Sequence, residues 1–160
     1  MFKKKTKPDS GWDMYEVTSL YGKHPLIGDV VEIEKLCYED SWERRDFIEY
    51  LSQPNDYGKV ISEDSITHGF MLYSARTRSF ALHSIAVHPD SRRDGIGSLM
   101  LDLLKRCLHR EGRWMIETKV RESNLATQLF FQDNDFRCIG IDENHYPDNE
   151  PAYVMNYRIF

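Results

Sequence analysis

Cysteine is scarce and scattered, with only Cys37, Cys107 and Cys138 in 160 residues. An odd number at wide spacing makes neither a disulfide framework nor a CxxC metal site, and each lies in an apolar pattern that suits a buried thiol. The six histidines contain no HExxH pair, so no metal is expected. No apolar run is long enough to span a membrane. The lysine-rich start, Lys3-Lys4-Lys5-Thr6-Lys7, lacks the apolar segment that follows in a signal peptide, so the expected location is cytoplasmic, with no membrane partner. Basic charge is also short: 21 Lys and Arg against 26 Asp and Glu leave a net −5, which speaks against a nucleic-acid partner. Repeats and low-complexity stretches are absent. The remaining expectation is a flexible tail over residues 1–11 and a single domain over 12–160, of ordinary globular composition at 41% hydrophobic residues.

What is present is organised around Leu82 to Gly112. Phe80, Leu82 and Ser84 alternate with Ala81, His83 and Ile85 at strand spacing, and Pro89 closes the strand. Leu99, Met100, Leu103, Leu104, Cys107 and Leu108 then mark the apolar stripe of a core-facing helix that Gly112 ends. Between them lies Arg92-Arg93-Asp94-Gly95-Ile96-Gly97-Ser98. Two glycines there let the backbone approach a ligand, and the first helical turn offers unpaired N–H groups to an anion. No Lys-Ser or Lys-Thr follows the second glycine, which excludes a nucleoside-triphosphate loop, and the third glycine of a dinucleotide fingerprint is missing.

Around this stretch, Trp12 to Leu20 reads as a first, edge strand, broken by the Gly22 to Gly28 segment. Asp29 is placed to cap a helix through Cys37, and Ser41 a second helix ending near Pro54. The turn Asn55 to Gly58 precedes a strand at Lys59-Val60-Ile61, and hairpins at Glu63-Asp64-Ser65 and Arg76-Thr77-Arg78 frame the next strand, Ile66 to Ala75. Trp114 to Val120 follows the helix as a further strand. One helix between two strands implies a parallel crossover. Ser123-Asn124 starts a short helix whose end, Asp133-Asn134-Asp135, supplies Asn or Asp for a left-handed cap. Phe136 to Ile141 and Tyr153 to Ile159 complete the strands.

The R-x-x-G-x-G loop after Ser84-Ile85-Ala86-Val87 resembles the coenzyme A pyrophosphate loop of the GNAT N-acetyltransferases. The order of elements is similar to the same family. Within it, Val120-Arg121-Glu122-Ser123-Asn124, Asp135-Phe136 and Asn144-His145-Tyr146-Pro147 resemble the ribosomal-protein alanine N-acetyltransferases, while Asp40-Ser41-Trp42 matches more loosely. The resemblance implies an α/β (α+β) fold: a mixed, mostly antiparallel sheet of about seven strands with flanking helices. It also implies acetyl-CoA as cofactor. By the same resemblance the main-chain N–H groups of Arg93, Asp94, Gly95, Ile96, Gly97 and Ser98 hold the pyrophosphate. The Ile85-Ala86-Val87 backbone pairs with the pantetheine arm and the acetyl carbonyl, and Asn124 contacts the pantetheine end. As a plain helix cap, Asn124 would occupy the same position.

Two positions depart from the subfamily. Lys119 stands where a glutamate base is common, and Phe131 where a tyrosine commonly protonates the thiolate. Of the remaining side chains, Glu117 lies one pleat from Lys119, about 7 Å away, and is placed to act as a base through a water or to pair with Lys119. Tyr146 is placed to supply the missing phenol. An α-amine, with a pKa of about 8, is partly neutral at physiological pH, whereas a lysine at about 10.4 is not, so an α-amine fits a weakened site better. The expected activity is acetyl transfer to a primary amine, with a protein or peptide N-terminus as acceptor. An acyl-CoA-binding protein with little turnover and a small-molecule amine acetyltransferase are the alternatives. The sequence leaves oligomeric state open.

Overall fold

The computed structural model describes residues 12–160; the tail expected over residues 1–11 lies outside them. Seven strands, β1 (Glu16–Leu20), β2 (Asp56–Glu63), β3 (Ile66–Ala75), β4 (Ser79–Val87), β5 (Met115–Arg121), β6 (Arg137–Asp142) and β7 (Ala152–Arg158), form one sheet. Their order is β1-β2-β3-β4-β5-β7-β6. Neighbours are antiparallel except β4 and β5, which are parallel because a helix crosses between them. Helices α1 (Ile27–Cys37) and α2 (Arg44–Leu51) cover one face, where Val30, Phe47, Phe70 and Ala86 pack together. Helices α3 (Ile96–Glu111) and α4 (Leu125–Asp133) belong to the other core, with Leu104, Ile116, Val120, Phe131 and Phe136. No helix among the described residues is long and apolar enough to cross a membrane.

The two early helices begin differently from the sequence expectation. Asp29 does not cap α1; the N-cap is Leu26, the turn before it is held by Leu26 N–H on His24 Nδ1 at 3.1 Å, and Asp29 instead accepts from the Thr67 hydroxyl at 2.7 Å. That bond ties the helix to β3. Nor does Ser41 cap α2. Glu43 and Asp46 form a reciprocal capping box, and Trp42, just outside the helix, packs on Phe47 inside it with ring centroids 5.5 Å apart. Box and apolar staple together outrank a serine two residues earlier. The turn before β2 is tighter than expected, because strand geometry begins at Asp56 after a left-handed Asn55. Asp135 does take the left-handed conformation, at φ 67°. Cys37 and Cys107 are half-buried, but Cys138 is exposed on β6. Alternation shows which residues share a face, and β6 is an edge strand that no layer covers at that point.

One irregularity positions the site. Against β3, Ser84 pairs with Leu72 and Leu82 with Tyr73, so His83 is an extra residue in β4. Such a bulge bends its strand and raises the local twist. Past it, β4 and β5 are no longer paired: their last partners are Leu82 and Thr118, although β4 runs on to Val87 and β5 to Arg121. Thr118 Oγ1 donates to Leu82 O at 3.0 Å and closes the base of the resulting split.

The remainder of β4 must lie tight on β3. A Cβ at Gly69 would stand 2.6 Å from Ala86 O and 3.3 Å from Met100 Cε. Gly69→Ala is therefore expected to lower unfolding stability by about 1–3 kcal/mol, read as a reduced urea midpoint at unchanged m. Gly140→Ala, where a Cβ meets nothing within 4 Å, is the control and leaves the midpoint unchanged or slightly raised.

Candidate functional site at the parting of two parallel strands

The glycine loop stands at the open end of the split. After a single 3₁₀ turn, Pro89–Ser91, the chain takes left-handed conformations at Arg93 (φ 68°) and Gly95 (φ 82°), and Gly95 is the N-cap of α3 with no side chain bonded to it. The first bond of that helix is Leu99 N–H to Gly95 O at 2.9 Å. The backbone N–H groups from Arg93 through Ser98 have no acceptor among the described residues. Alternating left- and right-handed residues turn such N–H groups into one concavity, and the helix dipole adds to its positive potential. Ser91 anchors the back of the loop through a 2.7 Å hydrogen bond to His68 Nδ1. Phe130 of α4 lies against the front: a Cβ at Gly97 would be 3.0 Å from its ring.

The β4 wall of the split is backbone. His88 N–H bonds His68 O at 2.7 Å, so by strand alternation Ser84, Ala86 and His88 turn their main-chain groups to β3, and Ile85 and Val87 turn theirs toward β5. Both carbonyls are used by groups from the end of α1 and from the loop. Tyr38 O–H donates to Ile85 O at 2.8 Å, while Cys37 Sγ at 3.4 Å and Arg92 Nε at 3.3 Å approach Val87 O. Tyr38 was not singled out in the sequence, because one tyrosine after a helix carries no pattern. Burial pushes its phenol up to about 12, against the lowering effect of Ser84, so it is a hydroxyl donor at neutral pH.

The α1 and α2 side of the split carries the ionisable groups. Glu117 does not pair with Lys119. Its carboxylate lies 3.8 Å from Arg76, and Lys119 donates to Asp142 at 2.8 Å with His145 Nδ1 at 3.5 Å. Lys119 holds the Asp142 carboxyl below its usual range. The loop between β6 and β7 is fastened by Arg121, which donates to Asp148 and Glu150 at 2.8 Å each and to Asp40 at 3.4 Å, with its guanidinium 3.9 Å from the Tyr146 ring centre. Hydrogen bonds from Ser123, and then from Arg121, hold the Glu150 carboxyl at about 2. Burial raises the Tyr146 phenol too. Asn124 caps α4, its Oδ1 accepting from Thr127 N–H at 3.1 Å; its side-chain NH₂ has no partner among the described residues. Phe131 is 1% exposed and packs between Phe130 and Phe136. Its ring belongs to the core.

A strand split between parallel neighbours, with an N–H-lined loop at its mouth, suits a long ligand carrying a pyrophosphate. Comparison with known proteins decides which. The model of the acetyltransferase (GNAT) family matches residues 27–136. The chain belongs to the GNAT family. It is an acyltransferase that takes acetyl from acetyl-CoA and gives it to an amine. It is similar to the [ribosomal protein bS18]-alanine N-acetyltransferase of Salmonella typhimurium, with 26% identity over 127 residues that span 78% of this chain and 85% of that one. Solved structures share the fold. The ribosomal-protein-S18-alanine N-acetyltransferase of Escherichia coli superposes with a TM-score of 0.80 at 24% identity, over 91% of this chain and 94% of that one. An aminoglycoside 6'-N-acetyltransferase complexed with coenzyme A gives 0.76 at 14%, over 91% and 97%. Among the described residues no group of His, Cys, Asp and Glu is arranged to hold a metal.

The unpaired N–H run of this GNAT chain fits a coenzyme A pyrophosphate. Among the described residues, Arg121 is the cation that joins the loop between α1 and α2 to the loop between β6 and β7. Arg121→Ala is expected to speed amide hydrogen exchange across residues 143–150 at least tenfold. Exchange in α3 should stay unchanged.

Proposed function

We propose that this GNAT enzyme acetylates the N-terminal α-amine of a protein or peptide, with the acceptor entering from the side of Tyr146 and the Arg121-held loop. The observation that carries the reading is the acidic rim of that side. Asp40, Asp148 and Glu150 surround a single arginine, and Glu117 lies on β5 below the base of the split, opposite Ala81. A cationic chain terminus is drawn to such a field. The similarity to a ribosomal-protein alanine N-acetyltransferase supports the same acceptor class.

In this reading the N–H groups of Arg93, Asp94, Gly95, Ile96, Gly97 and Ser98 bind the pyrophosphate, where fixed dipoles need no reorganisation. Ile85 and Val87 offer their β5-facing main-chain groups to the pantetheine arm and the acetyl carbonyl, with Ala86 holding the strand to β3. Tyr38, Cys37 and Arg92 give up their bonds to those carbonyls as the arm enters. The free NH₂ of Asn124 contacts the pantetheine end. Acetyl-CoA supplies an activated carbonyl and a thiolate leaving group. Tyr146, its phenol kept protonated by burial, donates the proton that the thiolate needs. Glu117, with Arg76 3.8 Å from its carboxylate, orients the acceptor ammonium rather than deprotonating it.

The test is a screen with free-thiol release as the readout. At pH 7 an α-amine of pKa about 8 is neutral about two orders of magnitude more often than a lysine of about 10.4. Unblocked peptides are therefore expected to turn over about 100-fold faster than N-acetylated, lysine-containing peptides or a polyamine. Equal rates, or preference for the polyamine, would contradict the α-amine assignment. Gly97→Asp places bulk against Phe130 and negative charge at the anion position, and calorimetry is expected to show no coenzyme A binding by the folded variant.

A further inference from the structure

We infer that His83 is the general base of the transfer, its Nδ1 lone pair receiving the proton of the acceptor ammonium at the head of a relay through Ser74 to Asp56. This rests on the transfer to an amine described above. His83 is the extra residue of the β4 bulge, so it sits at the point where β4 leaves β5 and two residues before Ile85, whose backbone faces the split. Bulges re-aim side chains in this way beside active sites.

The hydrogen bonds define which nitrogen is available. Ser74 Oγ lies 2.9 Å from His83 Nε2, 3.2 Å from the Tyr50 hydroxyl and in a short contact with Asp56 Oδ1. The carboxylate only accepts, so the one serine hydrogen goes to Asp56. Ser74 Oγ is then an acceptor for Tyr50 O–H and for His83 Nε2–H. That assigns the tautomer with Nε2 protonated and Nδ1 carrying the lone pair. Among the described residues Nδ1 has no partner, and part of the residue's surface reaches solvent. Tyr50 also packs edge-on against the imidazole with centroids 5.4 Å apart, which holds the ring.

The groups facing the imidazole come from four elements: Tyr50 on α2, Asp56 on β2, Arg76 after β3, and His145 between β6 and β7. Burial lowers its basicity first, Arg76 and His145 act the same way, and Asp56 opposes them. The ring is therefore neutral at pH 7, and the imidazolium formed in the reaction has the Asp56 charge behind it. Of the other candidates, Glu117 is opposite Ala81, below the base of the split, with Arg76 3.8 Å from its carboxylate, and Lys119 donates to Asp142.

The proton count closes. His83 Nδ1 takes one proton from the ammonium, which frees the nitrogen pair to form the N–C bond as the C–S bond breaks. The nitrogen's second proton passes to solvent, Tyr146 delivers one to the sulfur and is reprotonated from solvent, and His83 releases its own to solvent. The sum is amide, thiol and one proton.

The experiment combines an NMR titration of the His83 ring with pH–rate profiles for the wild type, His83→Gln and Asp56→Asn, using an unblocked peptide and a hydrazide that is already neutral at pH 7. The wild-type ring is expected to titrate below the ordinary histidine value of about 6.5, and Asp56→Asn to lower it further by removing the supporting charge. The acid limb of kcat/KM should share that midpoint. His83→Gln should lose the limb and about 100-fold or more in kcat with the peptide, lose far less with the hydrazide, and bind coenzyme A as before by calorimetry. Wild-type turnover matched by His83→Gln, or a ring midpoint indifferent to Asp56→Asn, overturns the role of His83 alone. A wild type that releases no thiol with either acceptor overturns both this role and the transfer on which it rests.

Discussion

The proposed acetyl-CoA site depends on where two parallel strands stop pairing. β4 and β5 hold together through Leu82 and Thr118 and then diverge, because one surplus residue, His83, bends β4 while its other edge stays bonded to β3. A sheet cannot normally leave a central strand edge open, since unpaired main-chain groups are costly away from water. Here Tyr38, Cys37 and Arg92 occupy the exposed carbonyls. The opening is stable as a structure and still available to a ligand whose own amides replace those bonds.

The crossover topology then puts unlike chemistry on the two sides of the opening. Leaving β4, the chain must turn sharply into α3, and left-handed residues at Arg93 and Gly95 achieve the turn while leaving a run of N–H groups without acceptors. That side suits phosphate and pantetheine. The opposite side is built from chain segments distant in sequence: the end of α1, the α2 ring Tyr50, and the loop between β6 and β7. Arg121 ties Asp40, after α1, to the loop between β6 and β7 by charge and by stacking on Tyr146. A guanidinium suits this task better than an ammonium, because it satisfies separate carboxylates and an aromatic face at once. In the proposed transfer the fixed loop would position the acceptor, and proximity of that kind accounts for a large share of a transfer barrier.

The sequence made the loop side legible and the acceptor side mostly illegible, for a physical reason. The glycine loop, the helix stripe and the crossover are local, and their residue types follow from backbone conformation and burial within a few positions. Helix caps are local too, but they compete, which is why Glu43 with Asp46 displaced Ser41 and why Asp29 served Thr67 instead. Ion-pair partners are not local. Glu117 and Lys119 look like a pair along a strand, yet each is claimed across strands, by Arg76 and Asp142. Asp56, Ser74 and His83 lie on three strands, and no spacing rule joins them. Phe131 reads as a lost phenol in the sequence, whereas in the structure it is a ring that holds α4 on the core.

The central claim is that acetyl-CoA lies in the split, along β4 and over the glycine loop. Backbone amide shifts of the labelled protein, followed on addition of coenzyme A, test it most directly. The account predicts the largest changes at Ser84 to Val87 and at Arg93 to Ser98, with β1 and β2 unmoved. Changes centred instead on the open cleft between α4 and β6, lined by Gln128, Gln132, Arg137 and Tyr153, would contradict it.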